Sequence, residues 1–164
     1  MLLELALAFL AGIVVKAVDW LEDDKKSSHP VKYFLAIVYG ILIGYVIGNA
    51  AFSVIFIAAL IAQILARKVD TITHEIGFLF AILTTVFFIT PQIELPIFVY
   101  FIAMAFGDEV KFTGPLKTIV EYRPFLKLAA LSMLVIGRWD YFIGIMVFDI
   151  GYFGFQKIAE RLKL

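Results

Sequence analysis

Cysteine is absent from the chain, which excludes disulfides, thiolate metal sites, cysteine nucleophiles and iron–sulfur clusters. Charge is scarce. Asp, Glu, Lys and Arg make up 17% of the residues, against about 25% in average soluble domains. The 14 cations and 14 acids cancel, so no basic field exists to hold nucleic acid. Polar sequence is too sparse to cover an ordinary soluble globule. What is abundant is apolar: 63% of the residues are hydrophobic and the mean hydropathy is +0.99. Disordered chains lack such content. The 164 residues suit one domain, and the composition makes residues 1–164 a single transmembrane domain.

A bilayer-crossing helix needs about 20 mostly apolar residues, with a range of roughly 17–25. Residues 2–18 form one such run. Residues 31–66 are apolar for twice that length and break at Gly48-Asn49. Residues 76–107 break at Thr90-Pro91-Gln92 and again from Glu94 to Pro96. Residues 124–157 break at Gly137-Arg138-Trp139-Asp140. Each break predicts a hairpin. The expected fold is therefore all-α, a polytopic transmembrane bundle of seven helices, one plus three hairpins. The stretches 76–90 and 124–137 are short for a full span. The first run lacks a positive leader and a small-residue cleavage site, so it reads as a retained helix and not a signal peptide.

Charge placement predicts orientation. Lys16, Lys25, Lys26, Lys32, Arg67, Lys68, Lys111, Lys117, Arg123, Lys127, Lys157, Arg161 and Lys163 fall on one side, and only Arg138 on the other. Cytoplasmic loops collect Lys and Arg, so the N-terminus is expected outside and the C-terminus inside a cell membrane, a prokaryotic inner membrane by this reading. Gly40, Gly44 and Gly48 repeat every four residues on the second helix. That spacing lets another backbone approach closely, within the chain or from a second copy.

The acids carry the chemical reading. Asp19 ends the first helix, and Glu22, Asp23 and Asp24 follow it. Asp19, Glu22 and Asp23 share a face if the helix continues one turn. Like charges so stacked become favourable when a hard, oxygen-seeking cation such as Mg²⁺ bridges them. Asp108 and Glu109 end the fifth helix, and Asp70, His74 and Glu75 start the fourth, all on the same side. Arg67, Lys68, Lys117 and Arg123 are interleaved with them. Acids, Mg²⁺ and basic side chains together form a cradle for a diphosphate. Asp149 stands apart in the middle of an apolar helix. An ionisable group there must face the bundle or a wet cavity, and helical spacing places Tyr152 and Gln156 on its face.

This layout resembles the UbiA superfamily of intramembrane prenyltransferases, which carry two Asp-rich motifs at cytoplasmic helix ends with four helices between them. Val18-Asp19-Trp20-Leu21-Glu22 stands at the first motif and Asp108-Glu109 at the second. The run from Asp23 to His29-Pro30 resembles the family's path to an Arg-Pro, and Arg67-Lys68 resembles a basic pair near the diphosphate. The chain departs from the pattern at Val18, Glu22 and Lys111, where the family has Asn, Asp and Asp. The resemblance implies an all-α bundle around a lipid-open cavity, with Mg²⁺ and an isoprenyl diphosphate.

The function expected from these residues is a Mg²⁺-dependent enzyme or binder of isoprenyl or lipid phosphates at the cytoplasmic face, a transferase if catalytic. Asp19, Asp23 and Asp108 would be the catalytic carboxylates. Those three and Glu109 would hold the metal, and Arg67, Lys68 and Arg123 would neutralise phosphate. Membrane lipids are the expected partners, with a second copy on the Gly40, Gly44 and Gly48 face. Two other classes fit the chain: a small transporter or channel built on Asp149, and a non-enzymatic subunit of a membrane complex. The chain has no G-x-S-x-G, H-E-x-x-H or P-loop signature, and no CDP-alcohol phosphotransferase motif.

Overall fold

The computed structural model describes residues 1–26, 28–88, 93–110 and 122–162. The Thr90-Pro91-Gln92 break and Lys111, Lys117, Glu121 and Lys163 lie outside the described residues, as does the side chain of Asp24. The described residues are all-α, with seven α-helices and no strand: α1 (Leu2–Asp19), α2 (Val31–Asn49), α3 (Ser53–Leu65), α4 (Ile72–Phe88), α5 (Leu95–Glu109), α6 (Pro124–Ser132) and α7 (Asp140–Leu162). A π-turn, Trp20–Asp24, prolongs α1, and a 3₁₀ turn, Met133–Ile136, ends α6. Among the described residues, α2 and α7 are long and apolar enough to cross a membrane, by length and composition; α3, α4 and α6 are apolar but shorter.

The helix ends follow local chemistry. The Thr71 hydroxyl accepts the backbone N–H of His74 at 3.3 Å, an N-cap that starts α4 at Ile72, ahead of the residue 76 expected from its apolar run. Gly137 takes a left-handed φ of 77°, and the Arg138 N–H bonds the Met133 carbonyl at 3.0 Å. This is a Schellman ending. Arg67 ends α3 the same way, with φ 54° and the Lys68 N–H on the Gln63 carbonyl.

Glycines set the two tightest helix pairs. A Cβ on Gly12 would strike the Phe148 carbonyl, and one on Gly151 would strike the Phe9 carbonyl. The backbones of α1 and α7 therefore touch, running parallel. Gly40 and Gly44 meet the Gly77 and Ala81 carbonyls of α4 in the same manner. Gly40 and Gly44 are thus covered by α4 of the same chain, the within-chain packing that their spacing also allows. Aromatic rings fill the centre. Phe101 stacks on Tyr141 at 5.0 Å, and Phe56 meets Phe148 edge-on at 5.5 Å, geometries that suit the ring quadrupoles. These contacts tie α3, α5 and α7 together.

One end of the bundle gathers the C-termini of α1, α3 and α5 with the N-termini of α2, α4 and α6. At the far end, Arg138 links three turns. It bonds Glu94 at 3.0 Å, Asp140 at 3.2 Å and the Ala51 carbonyl at 3.1 Å. Its guanidinium stays firmly charged, chiefly because Asp140 accepts its hydrogen bonds.

Candidate anion site at the basic end

α1 delivers Asp19 to the basic end, where its Oδ2 accepts the Tyr152 hydroxyl at 2.7 Å. Its Oδ1 lies 3.9 Å from His74 Nε2. Glu22, three residues on, faces elsewhere. It pairs with Lys32 at 2.8 Å and accepts the Thr73 hydroxyl at 2.9 Å. Lys32 holds the Glu22 carboxyl below the usual carboxylate range, with burial opposing it. The π-turn does continue the helix past Asp19, yet Asp19 and Glu22 are used singly, each by its own partners. Asp23 is exposed.

Asp108 has a different use. Its two oxygens accept the backbone N–H groups of Phe125 at 2.9 Å and Leu126 at 2.8 Å. These are N–H groups an N-cap side chain normally serves, here supplied from the end of α5 because Arg123, at the N-cap position, makes no such bond. The negative carboxylate also suits the positive end of the α6 dipole. Both oxygens are thus engaged by backbone. Glu109 pairs with Lys68. Among the described residues, no three Asp, Glu or His side chains gather into a group able to hold a metal ion. Of the expected metal set, Asp19, Asp108 and Glu109 serve a hydroxyl, a helix end and a lysine, and Asp23 is exposed.

The cations do converge. Lys16 Nζ lies 5.4 Å from the centre of the Tyr152 ring, and the Arg123 guanidinium lies 5.6 Å from it. Both distances allow cation–π attraction. Among the described residues, neither cation is in an ion pair. Lys127, one turn beyond Arg123, pairs with Asp149 at 2.7 Å and sits 5.3 Å from the Phe153 ring. Burial pulls the Arg123 proton affinity down, but Tyr152, Asp149, Glu109 and Asp19 outweigh it and raise it above the ordinary value. Arg123 therefore stays charged. Its backbone is left-handed, φ 50° and ψ 57°, immediately before Pro124. A non-glycine residue held there costs about 1–3 kcal/mol, a strain found at functional sites.

Of the expected phosphate-neutralising residues, Arg123 is in this cluster. Lys68 is committed to Glu109, and Arg67 is exposed at the end of α3. Sequence reasoning missed Lys16 and Lys127, taken only as flanking charges, and missed Tyr152 as the shared platform. One signal was available, the placement of Tyr152 on the inward face of Asp149. Its hydroxyl, however, reaches Asp19 on another helix. No family model matches the chain, and no curated protein or solved structure resembles it significantly.

Proposed function

We propose that this is a polytopic membrane protein that binds the phosphate of a membrane lipid or isoprenyl phosphate at its basic end. The membrane reading is supported by apolar side chains turned outward on every helix: Leu10, Ile41, Ile64, Leu83, Val99, Leu128 and Ile150 are all exposed. Soluble monomers rarely expose contiguous apolar patches beyond a few hundred Å². The crowding of Lys and Arg at one end supports placing that end in the cytoplasm.

One observation carries the ligand reading: Lys16 and Arg123 converge on the Tyr152 ring without ion pairs among the described residues. A phosphate set against both cations would supply the paired oxygen acceptors that no ion pair gives them among the described residues. Arg donates a planar fork of N–H groups and Lys a compact point charge, and both suit phosphate oxygens. Asp19 accepts the Tyr152 hydroxyl and so holds the ring that both cations approach. The apolar flanks of α1, α6 and α7 would take the lipid chain. No metal is needed for this binding, and isoprenyl diphosphates and phospholipids both belong to the class.

The test is retention of phosphatidylglycerol, followed by native mass spectrometry of the full chain released from micelles. Lys16→Gln and Arg123→Gln should each weaken retention about tenfold, a loss of about 1.4 kcal/mol. Arg67→Gln should leave it unchanged. Equal retention by all four proteins would sink the proposal.

A further inference from the structure

His74 stands on the first turn of α4, and its ring faces Asp19. Nε2 lies 3.9 Å from Asp19 Oδ1, and the two side chains are 19% and 20% exposed. That separation is too long for a hydrogen bond and short enough for an ion pair once the ring is protonated. The other Asp19 oxygen, Oδ2, accepts the Tyr152 hydroxyl at 2.7 Å. A single carboxylate thus joins a histidine to the ring that Lys16 and Arg123 approach. Its charge reaches the cations as well, since Asp19 acts electrostatically on Arg123.

The groups around His74 come from three elements. α1 and its π-turn supply Asp19 and Glu22. α2 supplies Lys32, paired with Glu22, and Tyr39, whose hydroxyl donates to the His74 carbonyl at 3.4 Å. α7 supplies Tyr152, through Asp19. Asp70 and Glu75, beside His74 in the chain, are exposed. Carboxylates, lysines and arginines ordinarily hold their charges between about pH 5 and pH 8, and histidine is the side chain that ordinarily titrates there. We infer that protonation of His74 regulates the phosphate site, tightening it as pH falls. A proton on the ring sets a cation against Asp19 Oδ1 and offsets the carboxylate that holds Tyr152. Tyr152 keeps its bond, because it uses the other oxygen. An anion on Lys16 and Arg123 then meets less repulsion. The sign follows from the added proton alone and needs no sum over neighbouring charges. This inference rests on the phosphate-binding reading above and adds its regulation.

The test is the affinity of the full chain in neutral micelles for phosphatidylglycerol, at about pH 8 and about pH 5.5, on either side of the ordinary histidine value. A phosphodiester keeps one negative charge throughout. Glycerophosphoglycerol, its soluble counterpart, is measured in parallel, so a bilayer lipid and a free phosphodiester are told apart by which one binds. Wild type should bind about fivefold tighter at the lower pH. His74→Gln should lose this difference. His29→Gln should keep it, because His29 is exposed and accepts the Val31 N–H of its own turn. If His74→Gln does not fold, the wild type gives a second reading. Coupling between sites is reciprocal, so saturating ligand should raise the midpoint of the His74 ring resonance by about 0.7 pH, the logarithm of the same factor. The chain has 2 His, and the His29→Gln spectrum assigns the signal. Binding with the same pH response in wild type and His74→Gln, or a His74 midpoint that ligand does not move, overturns the inference and leaves the site standing. Binding of neither phosphodiester at either pH overturns the site, and the inference with it.

Discussion

At the residue scale, the basic end shows how partners define a charged side chain more than its spacing does. Asp19 and Glu22 sit three apart on one helix, but one serves Tyr152 and the other Lys32 and Thr73. The Glu22 pair has a consequence for pH. A carboxyl held below its usual range by a cation adds stability that is fully present above its unfolded value, about 4.3. That stability is lost as pH falls through the lower folded value. We expect the melting temperature of the wild type to drop between about pH 5 and pH 3, and that of Glu22→Gln to drop less over the same window. Parallel melting curves for the two proteins across it would show that the pair contributes nothing. The sequence made the acids visible and left their partners hidden. Asp149 was legible as an inward group, because an ionisable side chain in the middle of an apolar helix calls for a partner inside the bundle. Lys127 was not legible as its partner, because the match depends on how α6 lies against α7.

At the element scale, the helices were readable and their ends less so. The apolar runs located all seven, and the break at Gly137 fell where a left-handed residue closes the turn. The start of α4 was misplaced because the Thr71 cap precedes the apolar run. The region 124–137 reads as one helix, yet it divides into nine α-helical residues and a 3₁₀ turn. Asp108 belongs to this scale, since it holds an element it is not part of. An amide in its place offers one acceptor oxygen where the carboxylate offers two, so Asp108→Asn should lose one cap bond to α6. Loss of a cap costs about 0.5–2 kcal/mol. Denaturant unfolding in micelles should show that loss. The response of the melting temperature to added Mg²⁺ should be the same in wild type and variant. A Mg²⁺ response that vanished with Asp108→Asn would instead make this carboxylate a metal ligand.

At the scale of the whole molecule, the charge bias predicts a topology that a cysteine-free chain is well suited to report. Single cysteines can be introduced at Ser28, near the basic end, and at Trp139, at the far end; both positions are exposed. In intact cells a membrane-impermeant thiol reagent should modify the cysteine at 139 and spare the one at 28, with the latter modified only after lysis. The reverse pattern would invert the orientation, and labelling of both would remove the membrane barrier between them. The sequence could propose this sidedness because the positive charges crowd one end. It could not show that Arg138, the lone cation opposite, joins three turns, since that requires the hairpins to be brought together in space.

The parallel contact between α1 and α7 bears on how the protein is made. Helices leave the ribosome in order, so α1 is made long before the helix that covers Gly12 has been translated. Throughout that interval the glycine face of α1 is bare, and Asp19 lacks the Tyr152 hydroxyl that engages it in the finished bundle. The proposed anion site takes Lys16 from the first helix, Arg123 from the start of the sixth and Tyr152 from the seventh, so it would be assembled last. A nascent chain arrested before α7 would carry neither a closed bundle nor a binding site, and ligand occupancy would report that synthesis had run through the seventh helix.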